Sequence, residues 1–256
     1  LSSSAAFEVL LGTILNHLFN DGKVSDVEIA QIAQAAENKF FGKPCGLLDQ
    51  MTSSVGSFVE IDFADPANPV IEKLDFDFAS CGYALCIVDT GGSHSDLTDE
   101  YAAVRKEMES VAEYLGKSVL REVDEDEFMK NIADIRSSCG DRAVLRAMHF
   151  YGDNARVEKQ AAALKAGDFE TFKKYIIESG RSSYMYNQNV YSCKKASEQP
   201  VSLALSLSEK LLDGCGAWRV HGGGFAGTIQ AFVPLNKLDE YKDLMEKVFG
   251  SGSCYI

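Results

Sequence analysis

The stretch HGGGFAGTIQAFV, residues 221–233, decides the fold. Gly222, Gly224 and Gly227 have the spacing of the G-x-G-x-x-G turn that binds dinucleotides, but that turn must open a helix. Here it runs into Thr228-Ile229-Gln230-Ala231-Phe232-Val233, a β-branched and aromatic run that reads as a strand. His221-Gly222-Gly223-Gly224 also has the spelling of an esterase oxyanion loop, yet such a loop serves a serine in G-x-S-x-G, which this chain lacks. Two alternatives stay open on the residues alone. The glycines form either a tight turn where two backbones approach closely or a turn that presents its backbone to a ligand.

Around this stretch the pattern mixes strands and helices. Downstream of the strand, residues 236–249 read as a helix. Upstream, residues 203–212 read as a helix and 217–221 as a strand. Residues 84–88 form an apolar run suited to a buried strand, and Leu97, Tyr101, Val104, Met108, Val111 and Leu115 recur at helical spacing until Gly116 stops them. Helical patterns dominate residues 124–184. Alternation over 57–63 and again over 73–78, with Pro66 and Pro69 between, predicts a hairpin with a long loop. The class is α+β. A boundary between Phe78 and Tyr83 divides the chain into residues 1–78 and 79–256.

At the start, Ser2, Ser3 and Ser4 lead into a helical stripe of Phe7, Leu10, Leu11, Ile14 and Leu18, ended by Asp21-Gly22. Ser25-Asp26-Val27-Glu28 is a capping box with Val24 and Ile29 as its hydrophobic staple. It opens a helix to about Phe41 with Ile29, Ile32, Ala33, Ala36 and Phe40 as the buried stripe. Glu37 shares the edge of that stripe, where an unpaired carboxylate is costly, so it calls for a cation. Asp49, in CGLLDQ, lies in an apolar setting behind Pro44 and Gly46 and has the position of a helix cap.

Composition narrows the partners. With 25 Lys and Arg against 38 Asp and Glu, the net charge of -13 repels nucleic acid and anionic lipid. No apolar run approaches the ~20 residues that span a bilayer. The seven cysteines show no C-x-x-C spacing, which predicts reduced thiols in a cytoplasmic protein, and the four histidines have no metal-ligand spacing.

The motifs occur in one order: a serine loop opening a helix, a glutamate on the next helix, G-L-L-D-Q, H-S-x-x-x-x-E-Y, and a glycine turn near the end. In that order the chain resembles the GHMP small-molecule kinases, and within them the galactokinases. Residues 1–6, LSSSAA, are similar to the later half of the family's phosphate loop. AENKFFGKPCGLLDQ (36–50) is similar to the stretch carrying the magnesium-binding glutamate and the catalytic aspartate. GSHSDLTDEY (92–101) and HGGGFAGTIQAF (221–232) match the remaining two motifs. The resemblance implies the GHMP kinase fold, a remnant of an N-terminal domain (1–78) followed by a ferredoxin-like C-terminal domain (79–256). It also implies that residues precede Leu1, which carry a sugar-binding signature and an arginine partner for Asp49.

By the same resemblance, the activity is transfer of the γ-phosphoryl group of ATP to the C1 hydroxyl of α-D-galactose with Mg²⁺. Ser2, Ser3, Ser4 and Ala5 would bind phosphate through a helix N-terminus, beside Gly222, Gly223 and Gly224. Ser3, with Ser4 as the alternative, and Glu37 would hold the metal. Asp49 would serve as general base or as electrostatic orienter, and Gly46 and Tyr101 would contact the sugar. The implied protein is a monomer, and the 256 residues alone are expected to be inactive. Ser93 stands where some galactokinases have arginine, and Ala226 where glycine is common. Another GHMP sugar kinase, such as one acting on an amino sugar, and a silent ATP- and galactose-binding regulator are the alternatives.

Overall fold

A computed structural model describes residues 3–42, 45–92 and 97–256, with Ala79 by its backbone alone. The chain divides into two compact units, residues 1–76 and 77–256. The division falls two residues before the boundary expected at 78.

Unit 1 begins with α1 (Ser3–Phe19), followed by α2 (Asp26–Ala35). The capping box is fully formed. The Ser25 hydroxyl accepts from the Glu28 backbone N–H, and the Glu28 carboxylate accepts from the Ser25 backbone N–H at 2.9 Å. The Ser25 N–H, and after it the Ser25 hydroxyl donating to the same carboxylate at 2.7 Å, hold the Glu28 carboxyl below its ordinary pKa. For a depressed carboxyl the stabilisation is complete above the unfolded value and fades as pH falls through the folded one. Ser25→Ala is therefore expected to cost about 1 kcal/mol at neutral pH and less in acid, measured by urea unfolding at two pH values.

Two expectations about these helices are corrected. The stripe Phe7, Leu10, Leu11, Ile14 and Leu18 is exposed, together with Leu15 and Phe19. The helix packs instead through its small side, Ala5 and Val9, with Gly12 pressed against Ile29. Asn16 ties its end to the next element, donating to the Val24 carbonyl at 2.9 Å and accepting from the Val24 N–H. The second helix does not run evenly to Phe41. It becomes a π-helical turn over Ala36–Phe41, closed by Gly42 at φ 77°. The wider turn shifts the register of every later side chain. Phe40 is 89% exposed, Ile32 is exposed as well, and Glu37 moves from the edge of the stripe to full burial.

After α3 (Leu48–Val55) come β1 (Phe58–Asp62) and β2 (Val70–Leu74), antiparallel with Phe58 opposite Leu74. The second strand lies earlier than the alternation over 73–78 predicts. Its pairing ends at Leu74, and Phe78 belongs to unit 2, where its ring stacks on Phe232 and meets Phe169 and Phe172.

Unit 2 opens with β3 (Tyr83–Asp89) and α4 (Thr98–Tyr114). A helical stretch follows: α5 (Glu125–Lys130), α6 (Ile132–Cys139), α7 (Asp141–Lys165) and α8 (Phe169–Ser182). The chain ends with α9 (Pro200–Leu212), β4 (Ala217–Val220), β5 (Thr228–Pro234), α10 (Leu238–Phe249) and β6 (Cys254–Tyr255). The sheet order is β4-β5-β3-β6, antiparallel throughout, with Val220 opposite Ile229 and Asp89 opposite Thr228. One face presents Cys86, Val88, Ile229, Ala231 and Val233 to a core shared with Leu205, Leu212, Tyr241 and Met245. Phe232 points the other way into the phenylalanine cluster, on the face that also carries Thr228 and Gln230. Residues 221–227 are the connection of the β4–β5 hairpin, which disposes of a dinucleotide-type helix opening at this point.

Candidate active site

In unit 1 the chemistry gathers on Glu37. The π turn buries its carboxylate to 2% exposure, and two neutral donors each take one oxygen. The Ser4 hydroxyl donates to Oε1 at 3.1 Å, and the Gln50 Nε2 donates to Oε2 at 3.1 Å. The hydroxyl that reaches Glu37 thus belongs to Ser4, while Ser3 is exposed at the first residue of α1 and Ala5 is buried behind it. Ser2 lies outside the described residues.

Asn38, the residue after Glu37, fixes the loop that follows. Its Oδ1 accepts from the Cys45 N–H at 2.7 Å, and its Nδ2 and the Gln34 Nε2 both donate to the Cys45 carbonyl. This brings the start of α3 against Glu37. Gln50 faces inward, and Asp49, its chain neighbour in the first turn, is exposed with no hydrogen-bond partner among the described residues. The cap position of α3 is occupied by Leu47, so Asp49 is no capping residue. Gly46 is exposed, with open space where a side chain would stand.

The oxygen donors here suit a hard cation. Carboxylate and hydroxyl are the ligand types Mg²⁺ accepts, and Gln50 Oε1 is buried beside them with no hydrogen-bond donor. An orphaned buried oxygen is a cost that a nearby cation offsets. Among the described residues no group of three His, Cys, Asp or Glu could hold a metal by itself. Any ion here would depend on the serine hydroxyls and on ligands from a bound phosphate.

In unit 2 the glycine turn is held from behind by two residues. Tyr101 donates its hydroxyl to the Gly224 carbonyl at 2.8 Å, its ring lies where a Gly223 Cβ would stand, and it meets Phe225 edge-on. Burial pushes the Tyr101 hydroxyl pKa up, which keeps it a donor. Asn189 gives its carbonyl to the Phe225 N–H at 2.5 Å and its side-chain amide to the Gly223 carbonyl at 3.2 Å. Gly222 and Gly224 have φ of 67° and 79°, and Phe225 follows at 57°. At the other end of the turn, Thr90 donates both its N–H and its hydroxyl to the Gly227 carbonyl. Ala226 is buried with its methyl group over Gly92, so an alanine is accommodated where glycine is common because Gly92 leaves the room.

The bracing extends further. Ser192 donates to Glu100 at 2.7 Å and Lys194 pairs with Asp99 at 3.0 Å, joining the Asn189 segment to the first turn of α4. Fully buried Arg146 donates to the Asn187 carbonyl and pairs with Glu107 at 2.8 Å.

The structure therefore brings together Ser4 with Glu37 in unit 1, and Tyr101 with Gly223 and Gly224 in unit 2. Of the third motif, Ser93 to Asp96 lie outside the described residues. Sequence reasoning missed Asn38, Gln50 and Asn189. Asn38 and Gln50 stood inside AENKFFGKPCGLLDQ, while Asn189 carries no local signal because its partners are backbone groups made close only by folding.

The model for the GHMP kinases N terminal domain matches residues 1–57. The galactokinase of Actinobacillus pleuropneumoniae is 30% identical over 245 residues, which cover 96% of this chain and 61% of that protein. Human galactokinase is 34% identical over 257 residues, covering 100% and 62% respectively. Lactococcus lactis galactokinase, solved in complex with galactose, superposes with a TM-score of 0.74 at 24% identity, over 99% of this chain and 64% of that one. L. major mevalonate kinase gives a TM-score of 0.60 at 13% identity, over 99% of this chain and 64% of that one. The chain thus spans about three fifths of the length of the curated relatives it matches. In fold it is a GHMP kinase, and among the described residues no helix is long and apolar enough to cross a membrane. Matched over residues 1–57 by the GHMP kinases N terminal domain and along its length by galactokinases, the chain is similar to the GHMP kinases.

Proposed function

We propose that these residues are the phosphate-handling and sugar-handling part of an ATP-dependent galactose 1-kinase. The observation that carries the reading is the buried Glu37, held by Ser4 from the opening helix turn and by Gln50, the chain neighbour of exposed Asp49. A buried carboxylate with hydroxyls beside it, at the N-terminus of a helix, is an arrangement for a metal-bound triphosphate. The relatives' identity supplies the sugar, and their full length supplies the wider frame.

Residues 2–5 would receive the phosphates on free backbone N–H groups. Ser3 or Ser4, with Glu37, would hold Mg²⁺, which when bound neutralises charge on the transferring phosphoryl group. Asp49 would face the C1 hydroxyl, orienting it or accepting its proton as the new O–P bond forms and the bond from the γ-phosphorus to ADP breaks. Gly222–Gly224, with no side chains at the turn, would allow a phosphate chain close backbone approach. Gly46 and Tyr101 stand as sugar contacts by resemblance, Tyr101 acting through its ring edge because its hydroxyl is already committed to Gly224. The protein would work as a monomer in the cytoplasm.

We infer further that the 256 residues by themselves do not turn over. The apolar face of α1, from Phe7 to Phe19, is too large to be left in water by a working enzyme, and the relatives are longer. The test is galactose 1-phosphate formation from ATP, Mg²⁺ and a panel of sugars. It is run on this chain and on a protein extended to the length of its relatives. Galactose phosphorylation by the extended protein alone is the expected result. Selective phosphorylation of an amino sugar would move the assignment to another GHMP kinase, and binding of galactose and ATP without turnover would make it a regulator.

A further inference from the structure

Away from the glycine turn, unit 2 has a cavity of about 340 Å³ along the free edge of β4, between α8 and α9. Gly180 creates it in part. A side chain there would collide with the Trp218 carbonyl and the Arg219 Cβ, so α8 lies directly on the strand and the open space falls beside it.

Among the described residues two groups in this cavity are incompletely partnered: Arg219 has no carboxylate against it, and the Ser202 hydroxyl has no hydrogen-bond partner. Arg219 is desolvated, which pushes its pKa below the ordinary arginine value. Its Nε donates to the Val220 carbonyl at 3.1 Å, and among the described residues no carboxylate lies within ion-pair distance of it. The opposing charge that acts on it, Asp153, is already engaged by the Ser179 hydroxyl at 2.6 Å and by Arg156 at 3.3 Å. The Ser202 hydroxyl, on the same cavity wall, is buried with no partner. A desolvated cation with no carboxylate against it and a buried hydroxyl with no partner each carry a cost that an anion removes.

The remaining lining specifies what the anion is attached to. Arg181, at the mouth, is only loosely paired with Glu209 at 3.9 Å and is free to turn inward. Glu209 then offers an acceptor, and Ser206 a donor, to hydroxyl groups. Trp218 and Tyr184 supply flat apolar walls of the kind that pack on a ring. Paired guanidinium groups match the oxygens of a phosphate ester.

We propose that this groove is a second ligand site, taking a phosphorylated sugar with its phosphate on Arg219 and Arg181 and its hydroxyls on Ser202, Ser206 and Glu209. The proposal does not depend on the kinase reading, since every lining residue lies outside the motifs that carry it.

Trp218 is the chain's single tryptophan, so its fluorescence reports this groove and no other site. The 256-residue chain is titrated with glucose 6-phosphate, with inorganic phosphate and with glucose. A saturable change with glucose 6-phosphate is expected, reversed by competing inorganic phosphate and absent with glucose. Arg219→Met should weaken the midpoint at least about tenfold, the size of one lost charged hydrogen bond. Ser206→Phe, which fills the groove from an exposed position, should abolish the change. If Arg219→Met fails to fold, Ser206→Phe decides the matter. No saturable response below about 10 mM, a span covering even weak millimolar binding, would overturn the site. So would an equal response to glucose or an unchanged midpoint in Ser206→Phe.

Discussion

Replacing Asp49 with asparagine in the protein extended to its relatives' length is expected to lower kcat for galactose phosphorylation by a factor of about 10² to 10⁴, the range for a lost general base. The KM for ATP should hardly move, because Glu37 keeps its hydrogen bonds from Ser4 and Gln50. Stability should also hold. Asp49 is exposed, makes no hydrogen bond or ion pair among the described residues, and is not the cap of α3. The only cost to folding is one favourable charge in the first turn of a helix, about 0.3–1 kcal/mol. This separation is what makes the variant informative. A fall in kcat with unchanged melting assigns the loss to the reaction. Unchanged kcat removes Asp49 from the mechanism.

The class of the fold was legible because its signals are local. The capping box at Ser25, the stop at Gly116 and the apolar run at Thr228 each depend on neighbours in sequence, and each element stands where it was expected. The orientation of the first two helices was not. Periodicity finds the apolar side of α1, but which side is covered depends on what is packed against it, and here the small side wins because Ala5, Val9 and Gly12 allow close approach. The π turn at Ala36–Phe41 was also invisible, since it obeys no residue preference that a helical count detects. Its consequence is large, because it converts Glu37 from an edge residue into a buried one. The candidate site was legible only as motifs in order. Its braces, Asn38 on Cys45 and Asn189 behind the glycines, use side-chain amides on backbone groups, and such bonds are specified by tertiary position alone.

Those braces give the glycine turn its own large expected effect. Gly224→Ala is expected to destabilise unit 2 by more than about 4 kcal/mol, whereas Gly222→Ala should cost only about 1–2 kcal/mol. Both glycines have positive φ, so alanine pays the same left-handed penalty at each. The difference lies in the space beyond. At Gly222 a Cβ meets nothing within 4 Å, but at Gly224 it would collide with the Asn189 carbonyl, which cannot yield without giving up its bond to the Phe225 N–H. Moving that carbonyl would also disturb the Asn189 amide on Gly223 and the Tyr101 hydroxyl on Gly224, so the loss is cooperative. For a unit of this size 1 kcal/mol corresponds to about 2–4 °C in Tm. Gly224→Ala should therefore melt at least about 8 °C below the parent and Gly222→Ala within about 8 °C of it, both followed by the fluorescence of Trp218 in β4. Equal melting of the two variants would mean that the Asn189 brace is not what makes glycine necessary. The ranking expected here would instead mark Gly224 as required by packing and leave Gly222, open on its far side, as the glycine whose bareness serves a ligand.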